Sequence, residues 1–414
     1  MSYRDVVIVG GGVGGCALAA NLATAGLKVL VLERENVFVD RVRGEWVTPW
    51  GTQECQRLGL HQVLIDAGAN EVARFIPYDE FIPPTLAEAA TVNYSESFPT
   101  LPLPLCMEHV LMQNALLSHA RACGAHILRG VTNVRVSAGP SPRACWSGPE
   151  GESEVSARLI VGADGRTSTV RRQLGLTLKE DAVDHLMSGL LIDNAYDWPD
   201  DTVALGKVGD VSYFVFPQGS GRVRAYVDYD IAQRGRYTGE SGAKRLVSAL
   251  THGSVKDGRC FHSAIPAGPC QAFPSQDAIV DTPCVEGALL IGDAAGYSDP
   301  IWGQGLSSTF RDVRIVRDQL LAANLWTMET FAPYVSERRE RQRRLRWETR
   351  YATALYGRFD SDSVAARERA LGRMAQDQKF HGYIVAGMAG PDAVPDEVFS
   401  QGYFDNLFGL EVGP

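Results

Sequence analysis

Six residues near the start of the chain, GGGVGG at positions 10–15, have the composition and spacing of a phosphate-binding turn. Gly10 permits a tight turn, Gly12 lets a pyrophosphate approach the backbone, and Gly15 lets the following helix pack closely on its strand. The N–H groups at the start of such a helix are free to bind phosphate. Glu33 lies close to the spacing of roughly 20 residues at which a carboxylate hydrogen-bonds ribose hydroxyls. The predicted chemistry is the binding of a dinucleotide.

The residues around this turn supply the elements that such a site needs. Residues 6–9 are a β-branched run, residues 16–25 an alanine-rich helical stretch, and residues 28–32 a second strand. A glycine-rich turn that binds nothing is the alternative for the motif alone. The order strand, helix, strand, followed by an acidic residue, favours the dinucleotide site.

Two further glycine motifs each follow a predicted strand much later in the chain. They are ADGRTSTVR at 163–171 and GDAAGYSDPIWGQG at 292–305. Asp164 and Asp293 could each cap a helix without any ligand. The last motif opens a predicted helix over 305–322, whose free N–H groups and positive dipole end would stabilise negative charge on a bound ring.

The middle and the end of the chain differ from these cofactor segments. Between residues 186 and 230 the pattern changes to short strands separated by turns, and from residue 328 onward it is mostly helical. We predict an α/β fold with a Rossmann-like cofactor domain, an inserted, mainly β-sheet substrate domain and a helical C-terminal region. The predicted limits are 1–75, 101–180 and 275–325 for the cofactor domain, 76–100 and 181–274 for the substrate domain, and 326–414 for the C-terminal region.

The amino-acid composition indicates which kinds of partner to exclude and which cellular compartment to expect. The net charge of -9 and the pI of about 5.5 argue against a nucleic-acid partner, and the basic stretch at 338–350, interleaved with glutamates, is interpreted as the solvated face of a helix. Eight cysteines without a C-x-x-C pair or metal-ligand spacing predict a reduced, cytoplasmic protein without a metal site. We expect neither a signal peptide nor a membrane span.

Together the three motifs resemble the flavin-dependent aromatic hydroxylases of the para-hydroxybenzoate hydroxylase type. The resemblance covers about 1–60, 105–180 and 275–325 and implies FAD as the cofactor. It implies that Asp164 lies near the FAD pyrophosphate and the approaching nicotinamide, and that Asp293 accepts a hydrogen bond from a ribityl hydroxyl. The residues implied to bind FAD are Gly10, Gly12, Val13, Gly14, Gly15, Glu33, Arg34, Arg43, Val134, Asp164, Gly165, Gly292, Asp293, Pro300, Gly303, Gln304, Gly305 and Leu306.

The resemblance also has departures. At the second turn the chain follows the family, and the resemblance implies that Ser168 and Arg171 brace this turn. The chain has Ser307 where the family often has asparagine, and Gly296 where it often has histidine; neither excludes FAD. Residues 108–109, Glu-His, stand where the family commonly has an arginine that contacts FAD, so that contact is not expected here.

The reaction implied by the resemblance has two halves. NADPH or NADH reduces FAD, and the reduced flavin captures dioxygen at C4a as a hydroperoxide that hydroxylates or epoxidises an aromatic or polyketide-like small molecule. Because the flavin carries the difficult chemistry, the protein has to place the substrate, exclude water and help to move a proton.

Candidates for substrate contact lie in the strand-rich insert. Arg224 and Tyr226, on one predicted strand, resemble family residues that face the flavin and substrate, and Tyr213 is expected to point the same way. Two histidines, His185 and His262, are interpreted as structural, and no catalytic acid or base is assigned. An aromatic pocket could be walled by Trp46, Trp50 and Trp302.

Three other functions fit the same cofactor scaffold. A reductase of the geranylgeranyl-reductase type would reduce double bonds without oxygen. A flavin-dependent halogenase is disfavoured because its W-x-W-x-I-P signature is absent from the sequence. A flavin-binding protein without turnover, or an enzyme that depends on a separate flavin reductase, also remains open.

Overall fold

The fold is built on two large sheets, of which the first is mainly parallel. The structure, a computed structural model, describes residues 2–42, 44–149, 151–251 and 258–410. The parallel strands of the first sheet run in the spatial order Ala288–Leu290, Gly151–Gly162, Ser2–Val9, Val29–Glu33 and His126–Arg129. Antiparallel strands extend it at Cys284–Val285, Arg143–Gly148 and Thr132–Ser137.

Both faces of this sheet are buried, as expected for parallel strands made of continuous apolar runs. Val6 and Ile8 face a core shared with the helices, whereas Val7 and Val9 face the antiparallel strands. The helices on the first face are Val13–Thr24, His109–Ala122 and Gly305–Ala322. The predicted strand, helix, strand unit and the predicted helix over 305–322 are confirmed.

The apolar pattern of the sequence predicts a single strand over residues 127–136, and this prediction is wrong. The chain forms two strands there: His126–Arg129 pairs in the parallel part of the first sheet, and Thr132–Ser137 pairs in its antiparallel part, which packs as a layer against one face of the parallel strands. Gly130 separates them with a φ of 72°, a left-handed conformation that glycine adopts without strain. The residue turns the chain out of the parallel sheet and into the antiparallel layer.

The second large sheet is mostly antiparallel. Its strands lie in the order Ile265–Pro266, His185–Asp193, Arg222–Asp230, Val211–Gly219, Thr202–Val208, Arg74–Pro77 and Val92–Asn93, and Gln271–Ser275 also pairs with the second of them. Two smaller sheets consist of Trp46–Val47, Leu105–Cys106 and Asn70–Glu71, and of Lys179–Glu180, Ala278–Ile279 and Gly296–Tyr297. The predicted strand-rich insert is therefore present, while its exact limits stay predictions.

Helices cover both faces of the antiparallel sheet. Gly239–Thr251 packs in the core on one face, and the C-terminal helices pack on the other. No helix in the described ranges combines the length and apolar character needed to cross a membrane. The remaining helices are Pro49–Arg57, His61–Asp66, Pro84–Ala89, Tyr94–Ser97, Thr169–Gln173, Met328–Ala352, Ser361–Gln376, Gly382–Ala389 and Gln401–Phe408.

The interpretation of 338–350 as a solvated face is wrong for two of its arginines. Arg338 and Arg341 are buried and form ion pairs with the buried Asp312. Asp312 also accepts a hydrogen bond from Gly292 N at 2.8 Å. Burial acts to raise the pKa of Asp312, but the two guanidinium groups outweigh it and hold the pKa below its usual value. The long C-terminal helix thereby fixes the third glycine motif.

We predict that Asp312→Ala lowers the free energy of unfolding by about 3–5 kcal/mol, because it removes the ion-pair partner of the buried Arg338 and leaves the buried Arg341 with Glu337 alone. The measurement is urea unfolding followed by circular dichroism. Asp318→Ala is the matched control, since Asp318 lies on the same helix with its side chain 49% exposed. We expect the control to change stability by less than about 0.5 kcal/mol. Equal effects of the two substitutions would contradict the assigned role of Asp312.

Candidate active site

A cavity of about 1710 Å³ is lined by residues of both large sheets and of the C-terminal helices. Pockets for a single drug-sized molecule measure roughly 300–1,000 Å³, so this one has room for a dinucleotide and a second molecule. Of the predicted FAD residues, Gly15 and Gln304 lie outside the lining, and Arg43 lies outside the described residues. The lining includes Gly10, Gly12, Val13, Gly14, Glu33, Arg34, Val134, Asp164, Gly165, Gly292, Asp293, Pro300, Gly303, Gly305 and Leu306.

The glycines of the first motif are of two kinds. A Cβ at Gly10 would lie 2.4 Å from Ala163 O, and one at Gly15 would lie 2.0 Å from Gly10 O, so the protein's own packing requires these glycines. A Cβ at Gly12 would meet nothing closer than Gln113 Nε2 at 3.9 Å and would project into open space. The missing side chain at Gly12 is accounted for by a ligand that approaches the backbone.

Two helices begin at the cavity without a side-chain cap. Neither Val13–Thr24 nor Gly305–Ala322 has a capping hydrogen bond from its N-cap residue or an acidic residue in its first turn. Uncapped helix starts present N–H groups and the positive end of the helix dipole to a ligand. The residues therefore fit the two parts of FAD that carry negative charge, the pyrophosphate and the reduced ring.

Glu33 is held rigidly at the end of its strand. Its two carboxylate oxygens accept hydrogen bonds from Gly11 N at 2.6 Å and Glu35 N at 2.7 Å. The remaining lone pairs are available to ribose hydroxyls, which is the role that the sequence predicts. The sequence analysis gave Gly11 no role of its own, although a Cβ at this position would lie 2.9 Å from Glu33 Cβ, so the close contact with Glu33 favours glycine here.

Asp164 lines the cavity but uses its carboxylate within the second motif. Its Oδ2 accepts hydrogen bonds from Thr169 N at 2.7 Å and Val170 N at 3.1 Å, and its Oδ1 accepts one from Ser168 Oγ. The helix-capping alternative is thus realised, and direct contact of Asp164 with FAD stays a prediction. Arg171 Nη1 donates to Ala294 O at 3.0 Å, which joins the second motif to the third.

The third motif presents backbone to the cavity and directs one side chain away from it. Gln304 Oε1 accepts a hydrogen bond from Trp50 Nε1 at 2.9 Å, and Gln304 Nε2 donates to Gly387 O at 3.2 Å. This buried amide connects the cofactor motif to the C-terminal helices. Asp293 lies on the cavity wall, with its Oδ2 3.6 Å from Arg166 Nε.

A tight helix contact accounts for the departure at Ser307. Its hydroxyl lies 2.8 Å from Thr48 Oγ1, and a Cβ added at Gly51 would lie 2.1 Å from Ser307 Oγ. The helices Pro49–Arg57 and Gly305–Ala322 therefore approach each other too closely here for a larger side chain at either Gly51 or Ser307.

On the substrate side, Tyr226 lines the cavity, whereas Arg224 is buried and does not line it. Tyr226 OH donates a hydrogen bond to the buried Glu45, and Arg224 Nη2 lies 3.1 Å from Glu45 Oε1 and 2.8 Å from Asp40 Oδ2. Burial raises the pKa of Glu45 to about 7, against the lowering effects of Arg224 and Tyr226. Glu45 lines the cavity and was missed by the sequence analysis.

The structure does not bring Tyr213 to the cavity. Its strand alternates, so Phe214 and Phe216 face the cavity, while Tyr213 is buried in the core on the opposite face of the sheet. Of the predicted aromatic walls, Trp46 and Trp302 line the cavity, and Trp50 is buried outside it.

His185 lies outside the cavity, in a buried contact between the antiparallel sheet and the third motif. Its Nδ1 lies 2.8 Å from Asp228 Oδ1, and its Nε2 lies 3.1 Å from Asp299 Oδ2. Burial disfavours the imidazolium, but the two carboxylates outweigh it and raise the pKa of His185 to about 11. Because Asp299 precedes Pro300 on the cavity wall, this contact joins the antiparallel sheet to the third motif, and the structural interpretation of His185 stays a prediction. His262 is exposed.

The chain resembles known proteins in sequence and in fold. A family model described as FAD binding domain matches residues 3–347. Squalene epoxidase 3 of Arabidopsis thaliana is 27% identical over 350 residues, which are 80% of this chain and 63% of that protein. A 1H-pyrrole-2-carbonyl-[peptidyl-carrier protein] chlorinase of Pseudomonas fluorescens is 25% identical over 368 residues, 80% of this chain and 79% of the chlorinase.

Among solved structures, an anhydrotetracycline hydroxylase from Streptomyces rimosus has the same fold. Its TM-score is 0.71 at 23% identity, with 94% of this chain and 76% of that chain covered. The chain thus spans less than two thirds of the length of the squalene epoxidase and most of the length of the hydroxylase. The matched segment contains all three glycine motifs around the cavity, and this chain belongs to the FAD binding domain family of para-hydroxybenzoate hydroxylase-like flavoproteins.

Proposed function

We propose that this chain is an FAD-dependent monooxygenase that uses NADPH or NADH and dioxygen to hydroxylate or epoxidise an aromatic or polyketide-like small molecule. One observation carries the proposal. A single cavity joins two regions. The first is a glycine cradle beside the first sheet, formed by Gly10, Gly12 and Gly14. The second is an aromatic chamber beside the second sheet, with Trp46, Phe214, Phe216 and Tyr226 in its wall. A substrate in that chamber would lie next to the ring of a flavin whose phosphates are held at the cradle.

Each part of the chain has a defined task in this proposal. Bound FAD supplies hydride acceptance from the nicotinamide and activation of dioxygen. The N–H groups at the start of Val13–Thr24 would bind its phosphates, and those at the start of Gly305–Ala322 would stabilise charge on its ring. Asp293 would accept a hydrogen bond from the ribityl chain, and the aromatic wall would exclude water.

The relatives support oxidation by a flavin but differ in the group that they transfer. The squalene epoxidase favours insertion of oxygen, and the carrier-protein chlorinase favours halogenation as the second candidate. We further infer action in the cytoplasm. The eight cysteines, none of which is paired in a disulfide, support this compartment.

We predict that Gly12→Ala lowers the affinity for FAD by at least about tenfold, because the added methyl group occupies the space of the pyrophosphate. The apoprotein should keep its stability or gain up to about 1 kcal/mol, since alanine readily adopts the φ of -74° found at Gly12. Flavin content after purification and thermal unfolding of the apoprotein measure the two effects.

The control for this substitution is Gly402→Ala. A Cβ at Gly402 also meets open space, and Gly402 does not line the cavity. The control should retain full flavin. If Gly12→Ala also purified with full flavin, the assignment of the first motif to FAD would be overturned.

The reaction itself is tested with the flavin-loaded protein, NADPH or NADH, and a panel of apolar phenols. We predict that a phenol accelerates nicotinamide oxidation, that equimolar dioxygen is consumed, and that one atom of labelled dioxygen enters the product.

Nicotinamide oxidation without dioxygen would indicate a reductase, and a halogenated product formed only with bromide present would indicate a halogenase. A flavin that is bleached only after a separate flavin reductase is added would identify that partner, and one that never turns over would indicate a non-catalytic protein.

A further inference from the structure

The two ring nitrogens of His185 face carboxylates that come from different parts of the chain. Nδ1 lies 2.8 Å from Asp228 Oδ1 on the neighbouring strand, and Nε2 lies 3.1 Å from Asp299 Oδ2 in the third glycine motif. An imidazole that donates from both nitrogens is protonated, so a positive charge lies between two negative ones. All three side chains are buried. We call His185, Asp228 and Asp299 the ionic clamp, because they join the antiparallel sheet to the third motif.

At the third motif, the clamp ends in a residue that caps the segment beside it. Asp299 Oδ1 accepts a hydrogen bond from Ile301 N at 2.9 Å, and Asp299 N donates to Asp277 Oδ1 at 2.9 Å. The capped segment, Pro300–Trp302, lines the cavity and leads into the helix that starts at Gly305. Asp299 itself does not line this cavity. A shift of its carboxylate would therefore move the cavity wall without any change in ligand contacts of its own.

At the sheet, the clamp shares one face of two paired strands with residues of the cavity wall. His185 is two residues before Met187, and Asp228 is two residues after Tyr226. Side chains two residues apart on a strand lie on the same face, and Met187 and Tyr226 line the cavity. The clamp therefore holds the strands on the substrate side and the segment of the third motif at a defined separation.

A turn near the C-terminus packs against the clamp. Residues Thr353–Gly357 form a π-helix, which is rare and frequently occurs at functional sites. A Cβ at Gly357 would lie 3.2 Å from Ile301 Cδ1 and 3.4 Å from His185 Nδ1, and Tyr356 lines the cavity. The sheet, the third motif and the C-terminal region thus meet at His185, and each of them contributes to the cavity wall.

We propose that His185 is a positioning residue of the active site: its imidazolium fixes Pro300–Trp302, and with it the start of Gly305–Ala322, relative to the strands on the substrate side. This inference rests on the proposed function and deepens it, because it names a residue that aligns the cofactor segment with the substrate strands. His185 acts through Asp299 and Asp228, which occupy both of its nitrogens, so it needs no contact with a ligand.

The position of the helix start has a measurable consequence for bound FAD. Negative charge accumulates on the ring when it is reduced, and the N–H groups at Gly305 would stabilise this charge. A displaced helix start would weaken the binding of reduced FAD more than that of oxidised FAD, and would thus lower the midpoint potential. The phosphate cradle at Gly12 belongs to the first motif, so oxidised FAD should remain bound.

The test measures the midpoint potential of the flavin-loaded protein by equilibration with reference dyes, without dioxygen, nicotinamide or substrate. For His185→Gln we expect reduced FAD to bind about tenfold less tightly relative to oxidised FAD, which lowers the potential of a two-electron couple by about 30 mV. Flavin content after purification should stay at the wild-type level.

Asp299→Asn separates position from charge. The asparagine can still accept the hydrogen bond from Ile301 N, but it breaks the ionic contact with His185. The loss of a negative charge would by itself raise the potential, whereas a displaced segment lowers it. We expect a fall similar to that of His185→Gln. The double variant should show no further fall, because both substitutions break the same contact.

The matched control is Tyr229→Phe. Tyr229 OH lies 2.9 Å from Ser188 Oγ on the same pair of strands as His185. Its ring is buried in the core on the opposite face of the sheet and does not line the cavity. Loss of this buried hydrogen bond should lower the Tm but leave the midpoint potential at the wild-type value.

The proposal is overturned if Asp299→Asn leaves the potential unchanged or raises it, if His185→Gln leaves it unchanged, or if Tyr229→Phe lowers it equally. If His185→Gln does not fold, Asp299→Asn and the control decide. Because the measurement involves no turnover, its outcome is distinct from that of the proposed function. A protein with the expected shifts that consumes no dioxygen would keep the clamp and lose the monooxygenase assignment.

Discussion

A ligand that is bound through backbone N–H groups has to touch the chain itself, and this requirement governs the whole cofactor half of the molecule. At Gly12 and Gly305 no protein atom fills the space that a side chain would take. Both residues stand at the start of a helix. The parallel sheet brings the two helix starts to one cavity, and the buried ion pairs of Asp312 keep the third motif in place there. Stability and binding are thus served by different residues of the same turns.

Local sequence patterns were sufficient to predict the cofactor half of the fold. The strand, helix, strand unit and the helix Gly305–Ala322 follow from apolar periodicity and glycine position, both of which are read over a few residues. The turn at Gly130 was missed, because the apolar residues on both sides of it continue the same strand-like pattern. Only its left-handed conformation, which the sequence does not display, separates the two layers.

The site was predicted less completely, and the reasons are tertiary. Tyr213 was expected in the substrate site, but both faces of its sheet are covered, so alternation along the strand did not tell which face meets the cavity. Glu45 was missed because its hydrogen-bond donor, Tyr226, is 181 residues away in the chain. Arg338 and Arg341 belong to a charged stretch that resembles a solvated helix, and only the position of Asp312 distinguishes them from their exposed neighbours.

The contact between Gly51 and Ser307 links two positions that lie far apart in the sequence. Volume can be added at either one only if the two backbones separate, so these residues are expected to vary together among homologues. An asparagine in place of Ser307, which is frequent in such flavoproteins, would require a wider gap between Pro49–Arg57 and Gly305–Ala322. Gly305–Ala322 starts at the cavity wall, whereas Ser307 does not line the cavity. A substitution at Ser307 would therefore alter the depth of the cavity from a position outside its lining.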